Sequence, residues 1–324
     1  MNEYKKSIAL GTFDGFHLGH QKVIELSKKS GYMPYVLLFS VHPLKCIKGE
    51  APPEILTDGL RKSLLGEMNV GALEIDFSEI MHLSPESFVR DILVGRFSAG
   101  AVSCGENYTF GDNGSGNVEV LRRLCRKYGI ELYVAPMVEF DGIEISSTRI
   151  REAIRSGDMQ TAAKMLGRPF SYDFTVVAGD RRGHLLGFPT INQFFPDGFV
   201  QPKHGVYASY VEIGGKAYPA VTNFGRRPTI GTPSVRSETC ILGFSGDLYG
   251  TDTEVHLLEF LRSEKKFDGL SSLSAQIKAD SESAVNTAPR IPLSRTSRFA
   301  PPPSAKSGTS CLCASFVMRH TSSV

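Results

Sequence analysis

The sequence predicts a parallel α/β domain followed by a small antiparallel β-barrel domain with a C-terminal helix. Three observations carry that expectation. Over the first half of the chain, short β-type runs alternate with helical patterns, as a parallel sheet with crossover helices requires. At Gly167-Arg168-Pro169 the texture changes. From there to Phe260 the chain is rich in β-branched and aromatic residues cut by Gly and Pro pairs. Finally, 324 residues, 41% of them apolar and 22% charged, suffice for two cores.

Each element follows from its own pattern. Ser7–Thr12 reads as a strand, and His17–Ser30 as a helix with Val23, Ile24 and Ser27 on one face and lysines on another. Tyr35–Phe39 is a second buried strand. Ser84-Pro85-Glu86 opens a helix, with a capping serine and proline at the first helical position, followed by Phe88, Val89, Ile92 and Leu93. Ala101–Cys104 and Leu132–Val134 read as strands flanking the helix Val118–Tyr128, and Ser147–Ser156 and Met159–Leu166 as short helices. In the second half, Gly214-Gly215 between Tyr207–Ile213 and Ala217–Val221 signals a hairpin. A last helix is expected near Leu270–Ala284. The expected division is 1–168, 169–284 and a tail, 285–324. Residues 281–324 hold ten Ser and five Pro, including Pro301-Pro302-Pro303, and their composition predicts disorder.

Composition excludes several classes. The net charge of +2 argues against a nucleic-acid coat or a partner of anionic membrane. That charge is uneven, with net −2 over 1–280 and +4 over 281–324. Six cysteines, of which Cys46, Cys104, Cys125 and Cys240 are scattered and only Cys311 and Cys313 sit close together, form no disulfide framework, which predicts a reducing, cytoplasmic setting. The apolar stretch Ile8–Leu10 is too short for a signal-peptide core, and the run at Tyr35–Phe39 is far below the roughly 20 residues of a membrane helix.

Two strings carry chemistry in the first half. Gly11-Thr12-Phe13-Asp14-Gly15-Phe16-His17-Leu18-Gly19-His20 lies where a strand runs into a helix, and it is neither a GxGxxG fingerprint nor a P-loop. A helix N-terminus offers free N–H groups and the positive end of a dipole to a phosphate. His17 and His20, three apart, project from one side of that turn and can donate to phosphate oxygens, with Gly19 keeping the space between them open. An isolated His-x-x-His serves more often as a metal-ligand pair or sits on the surface; the full string at a strand–helix junction favours phosphate. Ile145-Ser146-Ser147-Thr148-Arg149-Ile150-Arg151 is the second string. Alone it reads as a helix cap, whereas beside the histidine motif its hydroxyls and arginines supply the other side of a triphosphate clamp.

Together these strings resemble the nucleotidylyltransferase superfamily, and more closely the N-terminal module of bacterial bifunctional riboflavin kinase/FAD synthetase. Phe39-Ser40-Val41-His42-Pro43, Leu83-Ser84-Pro85-Glu86-Ser87-Phe88 and Cys104-Gly105-Glu106-Asn107-Tyr108-Thr109-Phe110-Gly111 match that family too. The resemblance implies a Rossmann-like fold and transfer of AMP from ATP to FMN, with loss of pyrophosphate. It assigns Gly11, Phe13, His17, His20, Ser147, Thr148 and Arg151 to ATP, with His17 and His20 catalytic, and places Asn107 on the FMN side.

Read alone, Gly187-Phe188-Pro189-Thr190-Ile191-Asn192 is a proline turn at a strand, and Glu238 a surface charge. With Gly205-Val206-Tyr207-Ala208, Asn223-Phe224-Gly225-Arg226-Arg227-Pro228-Thr229, Glu238-Thr239 and Asp247-Leu248-Tyr249-Gly250, the region resembles the riboflavin kinase domain of the same family. The resemblance implies ATP-dependent phosphorylation of riboflavin. Thr190 and Asn192 would be the oxygen donors organising Mg2+, Gly183 and Gly187 would let the backbone approach the ATP phosphates, and Glu238 would accept the alcohol proton. Three positions depart from the family pattern: His184 stands for Arg, Ile191 for Ala and Cys240 for His. The expected partners are therefore riboflavin, FMN and ATP. The competing expectations are an FMN adenylyltransferase with a degenerate kinase half, and a non-catalytic flavin-binding regulator.

Overall fold

In the computed structural model, which describes residues 5–178, 190–227 and 234–287, Ile8 and Ala9 are chain neighbours buried in different cores. They lie on β1 (Lys6–Ala9), and successive side chains of a strand point to opposite faces. β2 (Met33–Phe39) repeats the division, with Leu37 in one core and Val36 and Leu38 in the other. Helices therefore cover both faces, which is the condition for an all-parallel sheet to be stable. One core receives Phe88, Leu93, Phe110, Leu121 and Leu124; the other receives Val23, Ile24, Leu60 and Leu64.

The sheet order is β3-β2-β1-β4-β5, with β3 at Gly71–Ile75, β4 at Ala99–Gly105 and β5 at Glu131–Ala135, and each pairing is parallel. Strand order reverses at β1, whose chain neighbour β2 lies on one side and β4 on the other. In open α/β sheets, ligands bind outside the carboxyl ends of the strands at such a switch point.

The helices start where the caps say they should. α1 (Leu18–Ser27) is capped by His17 and buries Val23, Ile24 and Ser27, the face read from sequence. Ser84 caps α5 (Pro85–Ser87), which continues as a π-helical stretch over Phe88–Arg96. Asn117 Oδ1 accepts from Val120 N at 3.0 Å to start α6 (Val118–Tyr128). α7 (Ser147–Ser156) and α8 (Met159–Leu166) keep their expected bounds. Elements not foreseen in this half include α2 (Pro43–Lys48), α3 (Asp58–Met68), β3 and α4 (Phe77–Ile80). β3 is an edge strand that alternates half-buried and exposed residues, so it lacks the apolar run by which a central parallel strand is recognised.

These residues form two compact units. One holds 5–151 with Lys164–Gly167 and Gly198–Val200; the other holds Glu152–Ala163, the described part of Arg168–Asp197 and the chain from Gln201. The second unit is a six-stranded antiparallel sheet, among the described residues, curled into a half-barrel. Its order is β8 (Phe170–Tyr172), β13 (Val255–Arg262), β10 (Gly205–Ile213), β11 (Lys216–Arg227), β12 (Ser234–Ile241) and β9 (Thr190–Phe194). β10 and β11 join through Gly214-Gly215, both at positive φ, the turn whose twist matches a two-residue hairpin. On one side of the sheet the buried hydroxyls of Ser209, Thr222 and Thr239 run across three strands at 2.8 and 2.9 Å. Each satisfies its neighbour where water is excluded.

The last helix, α9 (Leu270–Thr287), packs on β10, β11 and β13 and runs three residues past its expected end. Ala284 meets Val206, Ala208 and Val221 there. Arg262 on β13 holds buried Asp280 with Nη2 at 2.7 Å from Oδ2 and Nε at 3.1 Å from Oδ1. Residues 288–324 lie outside the described residues, and among the described residues no helix is long and apolar enough to cross a membrane.

Asp280→Ala leaves the Arg262 guanidinium without its buried carboxylate, so the second unit should lose about 3 kcal/mol of stability. Urea unfolding followed by circular dichroism measures the loss.

Candidate functional sites in the two units

Between β1 and α1 the chain turns sharply. Phe13, Gly15 and Phe16 all have positive φ, at 51°, 82° and 43°. That region is unfavourable for a bulky L-residue, costing of the order of 1 kcal/mol each. Burial of both phenyl rings, whose centroids are 5.8 Å apart, opposes that cost. The loop is held in one shape by its apolar anchors, and the polar residues between them inherit that shape.

His17 is the N-cap of α1, and its Nδ1 accepts from the backbone N–H of His20 at 3.4 Å, which places the proton of the neutral ring on Nε2. The two imidazoles stack with centroids 3.7 Å apart. Phe13 packs against His20, with ring centroids 5.3 Å apart. The Nδ1 of His20 is buried and finds no partner among the described residues. A methyl group on Gly19 would lie 3.1 Å from the His17 ring, so a larger residue there would push that ring by a few tenths of an ångström.

The second string arrives at this loop. Ser147 Oγ donates to the backbone oxygen of Asp14 at 2.9 Å, and Arg151 pairs with the Asp14 carboxylate. Arg151 Nε also donates to Pro53 O at 2.6 Å, and Asp14 Oδ1 accepts from Ile55 N at 3.4 Å. Thr148 is exposed in the first turn of α7, and Gly11 is half-buried two residues beyond β1. Arg149 donates to the backbone oxygens of Ile143 and Glu144, strapping the hairpin of β6 (Glu139–Phe140) and β7 (Ile143–Glu144) to the same turn. Asn107, exposed beyond the carboxyl end of β4, donates to Glu144 Oε1 at 3.1 Å. The structure thus brings His17, His20 and Ser147 to one loop system at the carboxyl end of the parallel sheet. Arg151 joins them from within, only 5% exposed.

In the second unit, the strand register supplies the geometry. Val206, Asn223, Glu238 and Asn192 stand opposite one another across β10, β11, β12 and β9. Directly opposed residues of an antiparallel sheet share a face, and Thr190, two along from Asn192, shares it too. Arg236, two before Glu238, places Nη2 at 3.0 Å from Glu238 Oε1. Asn223 Nδ2 donates to Glu264 Oε1 at 3.3 Å, while its buried Oδ1 has no partner among the described residues. Asn223 stands in one of the strings that carry the resemblance but has no role assigned from it, and Arg236 was not singled out from sequence. The signal for Arg236 was its i, i+2 spacing from Glu238 on a strand, and that for Asn223 was pairing register. Gly183, Gly187 and His184 lie outside the described residues. Cys240 is buried opposite Val221 and Thr190, on the face that carries Glu238.

Burial first, and then the closeness of the His17 ring, which disfavours protonating both imidazoles together, pushes His20 well below its usual imidazole value near 6.5. The unfolded chain takes up a proton there that the folded chain refuses. Stability from His20 is therefore present above pH 6.5 and is lost as pH falls toward the lower folded value. Thermal melts between pH 7.5 and 5 should show the wild type losing about 2–4 °C more than His20→Asn.

Comparison with known proteins bears on both units. Residues 1–149 match the family model described as FAD synthetase, and residues 166–288 the one described as riboflavin kinase. The chain is 32% identical over 295 residues to the bifunctional riboflavin kinase/FMN adenylyltransferase of Bacillus subtilis (strain 168), spanning 87% of this chain and 92% of that one. It is 33% identical over 282 residues to the protein of the same description from Escherichia coli (strain K12), spanning 84% and 90%. Among solved structures it resembles one described as a macrolide-efflux protein from Streptococcus pneumoniae, with 31% identity, a TM-score of 0.80, and coverage of 88% of this chain and 95% of that one. With both halves matched and nine-tenths of its relatives' length spanned, the chain belongs to the family of bifunctional riboflavin kinases/FMN adenylyltransferases.

Proposed function

We propose that the chain makes both flavin cofactors. Its second unit transfers the γ-phosphoryl group of ATP to riboflavin to give FMN, and its first transfers AMP from ATP to FMN to give FAD and pyrophosphate. The observation that carries this reading is that each unit holds its own phosphate-handling constellation: His17, His20 and Ser147 around one loop, and Glu238 opposite Asn192 in one strand register. The domains are 1–168 for the adenylyltransferase and 169–284 for the kinase. A reducing cytoplasm suits the free thiols of Cys46, Cys104, Cys125 and Cys240.

In the adenylyltransferase, an FMN phosphate oxygen attacks the α-phosphorus of ATP as the bond to pyrophosphate breaks. No protein nucleophile is needed, so the site works by positioning and by stabilising charge. His17 donates from Nε2 to the phosphates, and His20, held neutral by burial, presents its ring beside it. Gly11, Ser147 and Thr148 line the ATP side through backbone and hydroxyl groups, with Phe13 and Arg151 behind them, and Asn107 faces FMN. In the kinase, Glu238 accepts the proton of the ribityl hydroxyl, with Arg236 fixing the carboxylate. Gly183 and Gly187 would admit the phosphates. Thr190 and Asn192 are neutral oxygen donors on the face of a carboxylate, a set that fits a hard cation keeping most of its water. They would hold Mg2+, which when bound neutralises phosphate charge.

Chromatography of products tests the division of labour. Riboflavin with Mg-ATP should yield FMN and then FAD. In the double variant His17→Ala/His20→Ala, FAD formation should fall by at least about a hundredfold while FMN formation persists. Glu238→Gln should do the reverse, cutting FMN formation by about 10²–10⁴-fold and sparing FAD formation from added FMN. Loss of both activities in either variant contradicts two separate sites.

A further inference from the structure

We propose that Asp14 is a positioning residue of adenylyl transfer: it fixes Ser147 with its backbone oxygen and Arg151 with its carboxylate, setting α7 against the His17/His20 turn. The inference rests on the adenylyltransferase reading and deepens it. The resemblance gives Ser147 and Arg151 to ATP, yet says nothing of what aims them. In this fold both groups end on one residue, three positions before His17 in the chain.

The environment makes that arrangement stringent. Asp14 is 9% exposed, and Arg151 is 5% exposed. A carboxylate in such surroundings is costly unless it is paired and hydrogen-bonded. Arg151 supplies the opposite charge, and Ile55 N supplies a hydrogen bond to Oδ1. The guanidinium is fixed in turn at a second point, Pro53 O. With two rigid acceptors on one planar fork, Arg151 has a set orientation before ATP arrives, and so does the first turn of α7 that carries it. Phe13 and Gly15, both at positive φ, flank Asp14 and hold its backbone oxygen toward Ser147. The carboxylate also places a negative charge behind the phosphate site. Its retention there makes sense for aiming Arg151, because for attracting ATP alone a neutral residue would serve better.

The test uses the full chain, whose riboflavin-phosphorylating site serves as an internal control. Asp14→Asn keeps the side-chain volume and removes the charge. It should lower kcat for FMN adenylylation at least tenfold without raising KM for ATP, while FMN formation from riboflavin stays unchanged. In an Arg151→Met background the same substitution should cost less than a further twofold, because a residue that acts through another has nothing left to aim. A merely structural role would instead depress thermal stability in proportion to the lost rate. If Asp14→Asn does not fold, Asp14→Glu carries the test. It retains the charge but moves it by one methylene, and should still lower kcat with FMN formation unchanged. Wild-type kcat in whichever of the two folds, full additivity with Arg151→Met, or parallel loss of FMN formation overturns the proposal. Failure of the underlying reading looks different: His17→Ala would then leave FAD formation intact, whatever the Asp14 variants do.

Discussion

The contact on which the proposed adenylyl-transfer site depends is the buried pairing of Asp14 with Arg151, reinforced by Ser147 on the backbone oxygen of the same aspartate. It joins two strings more than 130 residues apart in the chain. Around it the parallel sheet does the coarse placement. β1, β2 and β4 bring their carboxyl ends side by side, so that the loops carrying His17, His42 and Asn107 emerge together. The sheet can only bring those loops near one another. The ion pair and its hydrogen bonds convert nearness into a fixed orientation.

The kinase site is built on a different principle. Among the described residues, the antiparallel register lines up Asn192, Glu238 and Asn223 on adjacent strands, and a one-residue slip would turn all three to the opposite face. The hydroxyl run Ser209–Thr222–Thr239 on that opposite face, together with the apolar contact of α9 on Val206, Ala208 and Val221, specifies the register. The departures at Cys240 and Ile191 sit within this framework. Cys240 is buried opposite Val221, where a small apolar side chain packs well, and Ile191 is opposite Thr239, one residue off the Glu238 face.

Much of this was legible in the sequence, and for identifiable reasons. The ten-residue string at His17 and the serine-rich turn at Ser147 declare themselves, because backbone geometry at a strand–helix junction and at a helix start demands particular residues locally. Helices such as Val118–Tyr128 were readable from caps and period. What escaped was relational. Asp14 lay within the quoted string, but its pairing with Arg151 depends on how the sheet closes. Arg236 and Asn223 required a register that no single strand encodes. β3 went unseen because an edge strand with one exposed side has no apolar run, and α3 because its buried residues are only Leu60, Leu64 and Leu65 among charges.

The central claim is that one ATP is gripped from both sides in the first unit, by the histidine turn and by the start of α7. The most direct measurement is a crystal structure of the protein with a non-hydrolysable ATP analogue and FMN. The account predicts the triphosphate within hydrogen-bond distance of His17 Nε2 and of the Ser147–Thr148 turn in the same molecule of analogue. A triphosphate that touches one of these groups and leaves the other in solvent would contradict it.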